Sequence, residues 1–254
     1  MPYKADVTIG RLQRILYRLT HRKTISQAVL AVESVDQSFR WVGIQGETSS
    51  GDQVAEDTPF FIASIDKLYN ATIVLLLSEA GKLDIDKPIS AYLSKSITHG
   101  LHRYRGSDYS ENITVRHLLT HTSGLADWLE DYPKGSHSLF EDILLEGDRT
   151  LTIEELAAHV RQKLTPHFPP QDLSGKRPRA RYSDTNFMLV IAIIEAVTGR
   201  PLNEVHERML YEPLGLQHTY FPGLSQPMAP AREPMVLRVR GGPLNIPMLI
   251  KSVR

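Results

Sequence analysis

The chain has 254 residues, 41% of them hydrophobic and 23% charged, a composition that supports a folded globular protein with a sizeable buried core. Lysine plus arginine balances aspartate plus glutamate at 29 each, so no surplus charge draws in nucleic acid or acidic lipid. The absence of cysteine excludes disulfides, thiolate metal sites and a cysteine nucleophile. The longest apolar run, residues 187–194, is far shorter than the ~18 residues of a membrane-spanning helix.

The first six residues are polar and lack the apolar core of a secretory signal. Ile9, Leu12, Ile15, Leu16 and Leu19 then fall on one helical face, with Arg11, Arg14 and Arg18 mostly elsewhere. A basic amphipathic helix suits either a membrane surface or the flank of a domain, and the second is the expectation. Residues 27–34 and 39–45 are β-rich runs around a short turn at Asp36-Gln37, which predicts an antiparallel hairpin. A helix is expected from Ser64 to Gly81, buried in the middle of the fold because Ile73 to Leu77 is apolar on every side. Further helices are predicted over 114–120, 152–164, 187–198 and 203–211, with polar loops filling most of 83–150. Met235 to Val239 resembles a strand, and an apolar segment follows Pro247. One hairpin and one late strand leave a sheet short of partners, so the sheet is expected to be incomplete at the C-terminus.

Ser64-Ile-Asp-Lys67 places an amine one helical turn from a hydroxyl on the same face. A poorly solvated lysine can take a serine proton near neutral pH. Alone the match is weak, and Ser64 could equally be a helix N-cap. Tyr182-Ser183-Asp184 sits at a second loop-to-helix junction, where the phenol could share a proton with Lys67 or Ser183 and Asp184 could simply cap the next helix. His121-Thr122-Ser123-Gly124 reads as a turn, since neighbouring side chains there rarely face each other and no Gly-x-Ser-x-Gly elbow is present. His117 and His121 are four apart, but without a glutamate or a third ligand no metal site is expected. Lys176, Arg177, Arg179 and Arg181 could read a carboxylate or lie in a solvated loop. Trp128, Tyr132 and Phe140 could line a pocket or close over the core.

Phe61-Ile62-Ala63-Ser64-Ile65-Asp66-Lys67, Leu118-Leu119-Thr120-His121-Thr122-Ser123-Gly124-Leu125 and Tyr182-Ser183-Asp184-Thr185-Asn186-Phe187 occur in an order and spacing that resembles the serine β-lactamase and penicillin-binding-protein superfamily. The likeness is nearest to its class C-like branch of esterases and D-alanyl-D-alanine peptidases, and Pro213-Leu214-Gly215-Leu216 adds to it. The resemblance implies an α+β fold, an antiparallel sheet flanked by helices beside a helical region, here a single domain over 1–254 with residues ~70–222 mainly helical. It implies Ser64 as the acylated nucleophile, Lys67 as its activating partner, Tyr182 as a proton shuttle, and Asp184 and Asn186 as substrate-binding positions.

Two departures stand out. Asp184 occupies a place where the family commonly has Asn, and a carboxylate beside Lys67 favours the charged amine and weakens it as a base. The family's third element, Lys-Thr-Gly or His-x-Gly on an inner strand, has no counterpart after Asn186. Two functions follow as expectations: a serine hydrolase acting through an acyl-enzyme on a small ester, amide, β-lactam or D-amino-acid peptide, or an impaired homologue that keeps the pocket as a binding module. Neither calls for a cofactor, a metal, nucleic acid or a membrane span. Oligomeric state is left open, and the cytoplasm is the default location unless the chain is a fragment of an exported precursor.

Overall fold

A computed structural model describes residues 5–22, 25–48, 50–147, 150–175, 177–228, 232–235, 238–239 and 248–249. Contacts gather into two compact units, one of Met1–Ile62 with Gln217–Thr219 and Gln226–Val253, the other of Ala63–Leu216 with Tyr220–Ser225.

In the first unit, helix α1 (Ala5–Thr20) packs on a hairpin of β1 (Ala28–Glu33) and β2 (Arg40–Gln45), paired from Ala28↔Gln45 to Glu33↔Arg40. Side chains of β1 alternate between half-buried and exposed, as a strand covered on one face must. Leu16 of α1 is buried, and Gly43 of β2 leaves room for Leu16 and the Trp41 ring, which a Cβ there would strike. The turn is held by Asp36, whose carboxylate accepts from the Ser34 and Ser38 hydroxyls and the Ser38 N–H; these bonds hold its pKa at about 2. The basic helix thus flanks a sheet, as its apolar face predicts.

The second unit is mainly helical. In chain order it contains α2 (Asp66–Glu79), α3 (Lys95–Thr98), the short ladder β3 (Arg103–Tyr104) and β4 (Ser107–Asp108), α4 (Val115–Leu119), α5 (Leu139–Glu146), α6 (Ile153–Lys163), α7 (Asp184–Thr198), α8 (Leu202–His206) and α9 (Glu212–Leu214). A π-helical turn, Glu207–Tyr211, joins the last two. The core lies where α2, α4 and α6 meet α7: Ile73, Val74 and Leu77 against Leu189, Val190, Ile193 and Ile194, with Leu118, Ala157 and Val160. Helix α7 stops at Gly199, whose φ of +65° takes the left-handed conformation that ends helices.

The structure departs from the sequence expectation at several places, and α3 and the β3–β4 ladder are among them, lying where polar loop was expected. Helix α2 begins at Asp66, after a tighter turn over Ala63–Ile65, and is not sealed all round: Leu68 and Leu75 are 68% and 53% exposed. Helix α5 lies inside a stretch expected to be loop. Its start is fixed by a reciprocal box in which Ser138 Oγ accepts from Glu141 N–H while Glu141 accepts from Ser138 N–H. The late strand pairs as β5 (Arg238–Val239) with β6 (Met248–Leu249), forming a separate two-stranded ladder; the rest of 235–253 mostly lies outside the described residues. No single helix among the described residues is long and apolar enough to cross a membrane.

Candidate active site

Ala63 adopts φ +48°, a left-handed conformation that costs a residue with a Cβ ~1–2 kcal/mol. It turns the chain abruptly into the Ala63–Ile65 turn, so that Ser64 stands at the exposed head of α2. Ser64 is not a cap. No side chain caps α2, and Ser64 Oγ lies 2.9 Å from Tyr182 Oη and 3.3 Å from Lys67 Nζ. Ser64 and Lys67 are three positions apart, one turn along the chain, as the spacing predicts. Tyr182, 118 residues away, arrives from the residue before the N-cap of α7.

Asp184 joins these three. Its Oδ1 is 2.6 Å from Lys67 Nζ and accepts from Tyr182 Oη at 3.0 Å. Both ionic side chains are about four-fifths shielded. Burial pulls the Lys67 amine down, but its bonds to Asp184 and Tyr182 and the adjacent negative charge outweigh that, and the net effect raises its pKa above the ordinary lysine value. Lys67 is therefore a cation at neutral pH, also 5.3 Å above the Tyr182 ring and 5.7 Å above that of Phe187.

Directions of the hydrogen bonds follow from proton counts. Tyr182 has one hydroxyl proton, and it goes to the carboxylate, which can only accept. Its oxygen is then free to accept from Ser64, while Ser64 Oγ accepts from the lysine ammonium.

The floor behind Tyr182 is built from the 121–131 loop. His121, at φ +55°, stacks on the Tyr182 ring with centroids 4.7 Å apart. Its Nδ1 faces Ser183 N–H at 3.2 Å and Asn186 Nδ2 at 3.0 Å. Both are donors, so Nδ1 accepts and the ring proton sits on Nε2. Burial and the Lys67 charge lower the His121 pKa, keeping the ring neutral. Ser123 is fully buried and gives its proton to Asn186 Oδ1 at 2.6 Å, which rules out a His121–Ser123 catalytic pair. Asp127 accepts the Asp184 N–H at 2.8 Å and so anchors the first turn of α7 from outside. Gly124 closes the turn at φ +74°, where a Cβ would fall 1.9 Å from the Phe168 carbonyl oxygen.

Of the residues expected in the site, Ser64, Lys67, Tyr182 and Asp184 come together. Asn186 lies apart from these four: it is fully buried, with both ends of its amide engaged by Ser123 and His121, and braces the floor behind Tyr182. Asp127 carries no signal in the sequence, and His121, read there only as part of a turn, stands against the Tyr182 ring. Of the basic cluster, Arg181 pairs with Asp131 at 3.1 Å and Arg179 lies over Phe168, while Lys176 falls outside the described residues. Trp128 packs against the core. His117 spends Nδ1 on Thr114 N–H and Nε2 on the Gln171 carbonyl. Among the described residues no three His, Asp or Glu side chains are grouped to hold a metal ion. A groove of about 510 Å³ is lined by Asp86, Arg116, His117 and Asp172 and by none of the four clustered residues.

The chain is similar to several known proteins. A family model described as Beta-lactamase matches residues 15–251. Esterase EstB of Burkholderia gladioli is 28% identical over 204 residues, covering 80% of this chain and 48% of the esterase. A putative D-alanyl-D-alanine carboxypeptidase of Escherichia coli (strain K12) is 31% identical over 168 residues, covering 65% of this chain and 34% of that protein. The crystal structure of a D-stereospecific amidohydrolase from Streptomyces sp. matches with TM-score 0.68 and 31% identity, over 89% of this chain and 59% of that one. The octameric penicillin-binding protein homologue from Pyrococcus abyssi shares the fold, with TM-score 0.69 at 22% identity, over 95% of this chain and 50% of its own. The chain thus spans about half the length, or less, of the curated relatives it matches.

Proposed function

The chain belongs to the beta-lactamase family, and on that premise we propose that it is a serine hydrolase working through an acyl-enzyme on a small ester, amide, β-lactam or D-amino-acid peptide. The observation that carries the reading is one oxygen, Ser64 Oγ, held between Lys67 Nζ at 3.3 Å and Tyr182 Oη at 2.9 Å on an exposed helix head. A hydroxyl so placed can lose its proton as it attacks a carbonyl carbon, and the neighbouring cation favours the anion that forms. The Ser64 N–H, at the start of its turn, supplies one donor to the carbonyl oxygen. Tyr182 then hands a proton to the leaving group, and water releases the acid from Ser64 by the same route. The relatives named as esterase, carboxypeptidase and D-stereospecific amidohydrolase support acyl transfer as the reaction class and leave ester, amide and β-lactam as candidate substrates.

The test is turnover of a p-nitrophenyl ester, a chromogenic β-lactam and D-phenylalanine amide by the native chain and by Ser64→Ala. At least one substrate is expected to turn over, with a loss of about 10³-fold or more in the variant. Equal rates in the two proteins would contradict the reading. Saturable binding without any turnover would favour the binding-module alternative.

A further inference from the structure

We propose that the Ser64 proton is delivered to the Asp184 carboxylate through the Tyr182 hydroxyl, and that Lys67 serves as a fixed cation, not as the base. The inference rests on the hydrolase reading above and deepens it. It follows from which atoms can accept. Ser64 Oγ has two polar neighbours, Tyr182 Oη and Lys67 Nζ. An ammonium has three protons and no lone pair, and here it points two of its bonds at Ser64 and at Asp184 2.6 Å away. A neutral amine in that place would sit against a shielded carboxylate with no counter-charge, an arrangement that burial penalises. The way out for the proton is therefore the ordered path Ser64 O–H to Tyr182 O–H to Asp184 Oδ1, with links of 2.9 and 3.0 Å.

The step balances. As Ser64 Oγ bonds to the carbonyl carbon, the carbonyl π pair moves to oxygen. The serine proton passes to Tyr182 Oη, and the tyrosine proton passes to Asp184 Oδ1. Negative charge has moved from Asp184 to the substrate oxygen, Lys67 remains a cation throughout, and Tyr182 ends as it began. Collapse reverses the path: the carboxyl proton returns through Tyr182 to the departing oxygen or nitrogen. A carboxylate is a weaker base than an amine, so the relay suits esters with good leaving groups better than amides. The charged and titratable groups around Asp184 are Lys67 from α2, Tyr182 beside it, and His121 and Asp127 from the 121–131 loop. Tyr182 and Lys67 both bridge Asp184 and Ser64, and of the two only the Tyr182 hydroxyl can accept one proton while giving up another.

The experiment measures the rate at which a fluorophosphonate labels Ser64, by intact mass, across pH, in the native chain, Asp184→Asn, Tyr182→Phe and the double variant. Asp184→Asn keeps the shape of the side chain, and its thermal unfolding is recorded alongside. The relay predicts a loss of about 10²-fold or more in Asp184→Asn. It predicts little further loss in the double variant, because the two residues act as a unit. Asp184→Glu, which returns a carboxylate able to accept the tyrosine proton, should recover much of the rate that Asp184→Asn loses. In mixed H₂O and D₂O the native rate should curve as two protons in flight require, a readout that needs no variant to fold. Labelling of Asp184→Asn as fast as native, or a native rate that simply climbs as a lysine titrates, overturns the relay and leaves the hydrolase intact. A native chain that takes no label at Ser64 overturns the hydrolase reading itself, and the relay with it.

Discussion

Two polar clusters share the first turns of α2, and they use similar residues to opposite ends. On one side Lys67 and Ser64 meet Tyr182 and Asp184 at the surface. On the other, Asp66 accepts from Asn70 Nδ2 at 2.7 Å, Asn70 Oδ1 accepts from His206 Nε2 at 2.8 Å, and His206 Nδ1 accepts from Tyr211 at 3.0 Å. The second cluster is sealed: Asn70, His206 and Tyr211 are buried, burial takes the His206 pKa down to about 4, and burial likewise pushes the Tyr211 phenol and the Asp66 carboxyl up. Every net shift favours the neutral form; at Asp66 burial outweighs the Asn70 bond and the Lys67 charge, which both work the other way. The first cluster keeps an ion pair and an open hydroxyl. A tyrosine, an aspartate and a hydrogen-bond relay occur in both, so residue types do not separate a site from a strut. Charge and access do.

That contrast can be broken most sharply from the open side. Tyr182→Phe removes one hydroxyl from an exposed ring, and is expected to slow acylation of Ser64 by about 10²–10⁴-fold while the thermal midpoint moves little. The sealed side should behave in reverse. His206→Ala strands Asn70 Oδ1 and the Tyr211 hydroxyl in the interior, and urea unfolding should report a loss of about 2–4 kcal/mol. Labelling of the protein that remains folded should stay within about threefold of native, since no labelling step passes through that cluster. A loss of labelling without a loss of stability would merge the two clusters into one site.

Gly124→Ala tests the floor beneath Tyr182. Its Cβ would meet the Phe168 carbonyl oxygen in a backbone that disfavours it, and a destabilisation of about 2 kcal/mol or more is expected by the same unfolding assay. A subtler effect is in pH. His206 binds its proton less tightly folded, at about 4, than at its ordinary 6.5. Below 6.5 the unfolded chain takes up more protons than the native one, so the stability His206 contributes is complete above that pH and is lost as pH falls from 6.5 toward 4. The difference in thermal midpoint between native and His206→Gln should shrink over that window. Asp66, raised by burial, acts with the opposite sign and is common to both proteins.

Much of the open cluster was legible because its logic is local or carried by motifs. A Ser-x-x-Lys spacing fixes two groups on one helical face wherever a helix forms, and Tyr182 stands at a loop-to-helix junction recognisable by the apolar run that follows. The consequence of Asp184 for Lys67 also followed from charge alone. What escaped depends on contacts between distant residues. Asn70 and His206 are 136 positions apart, and no pattern in either neighbourhood announces the pairing. Asn186 looked available because its amide was visible and its partners, Ser123 and His121, were not. The open face of α2 escaped for a related reason: periodicity tells where apolar side chains lie, not whether anything covers them, and Leu68 and Leu75 are uncovered. Helix α5 is different. Ser138-Leu-Phe-Glu141 is a capping-box signature, and a stricter reading of helix starts would have found it.

The central claim is that one serine, out of all those in the chain, carries an activated oxygen. Intact mass after incubation with a fluorophosphonate, followed by peptide mapping, tests it most directly. A single adduct on the peptide containing Ser64, missing from Ser64→Ala, is the predicted result. No adduct, or one that persists unchanged in Ser64→Ala, would contradict it.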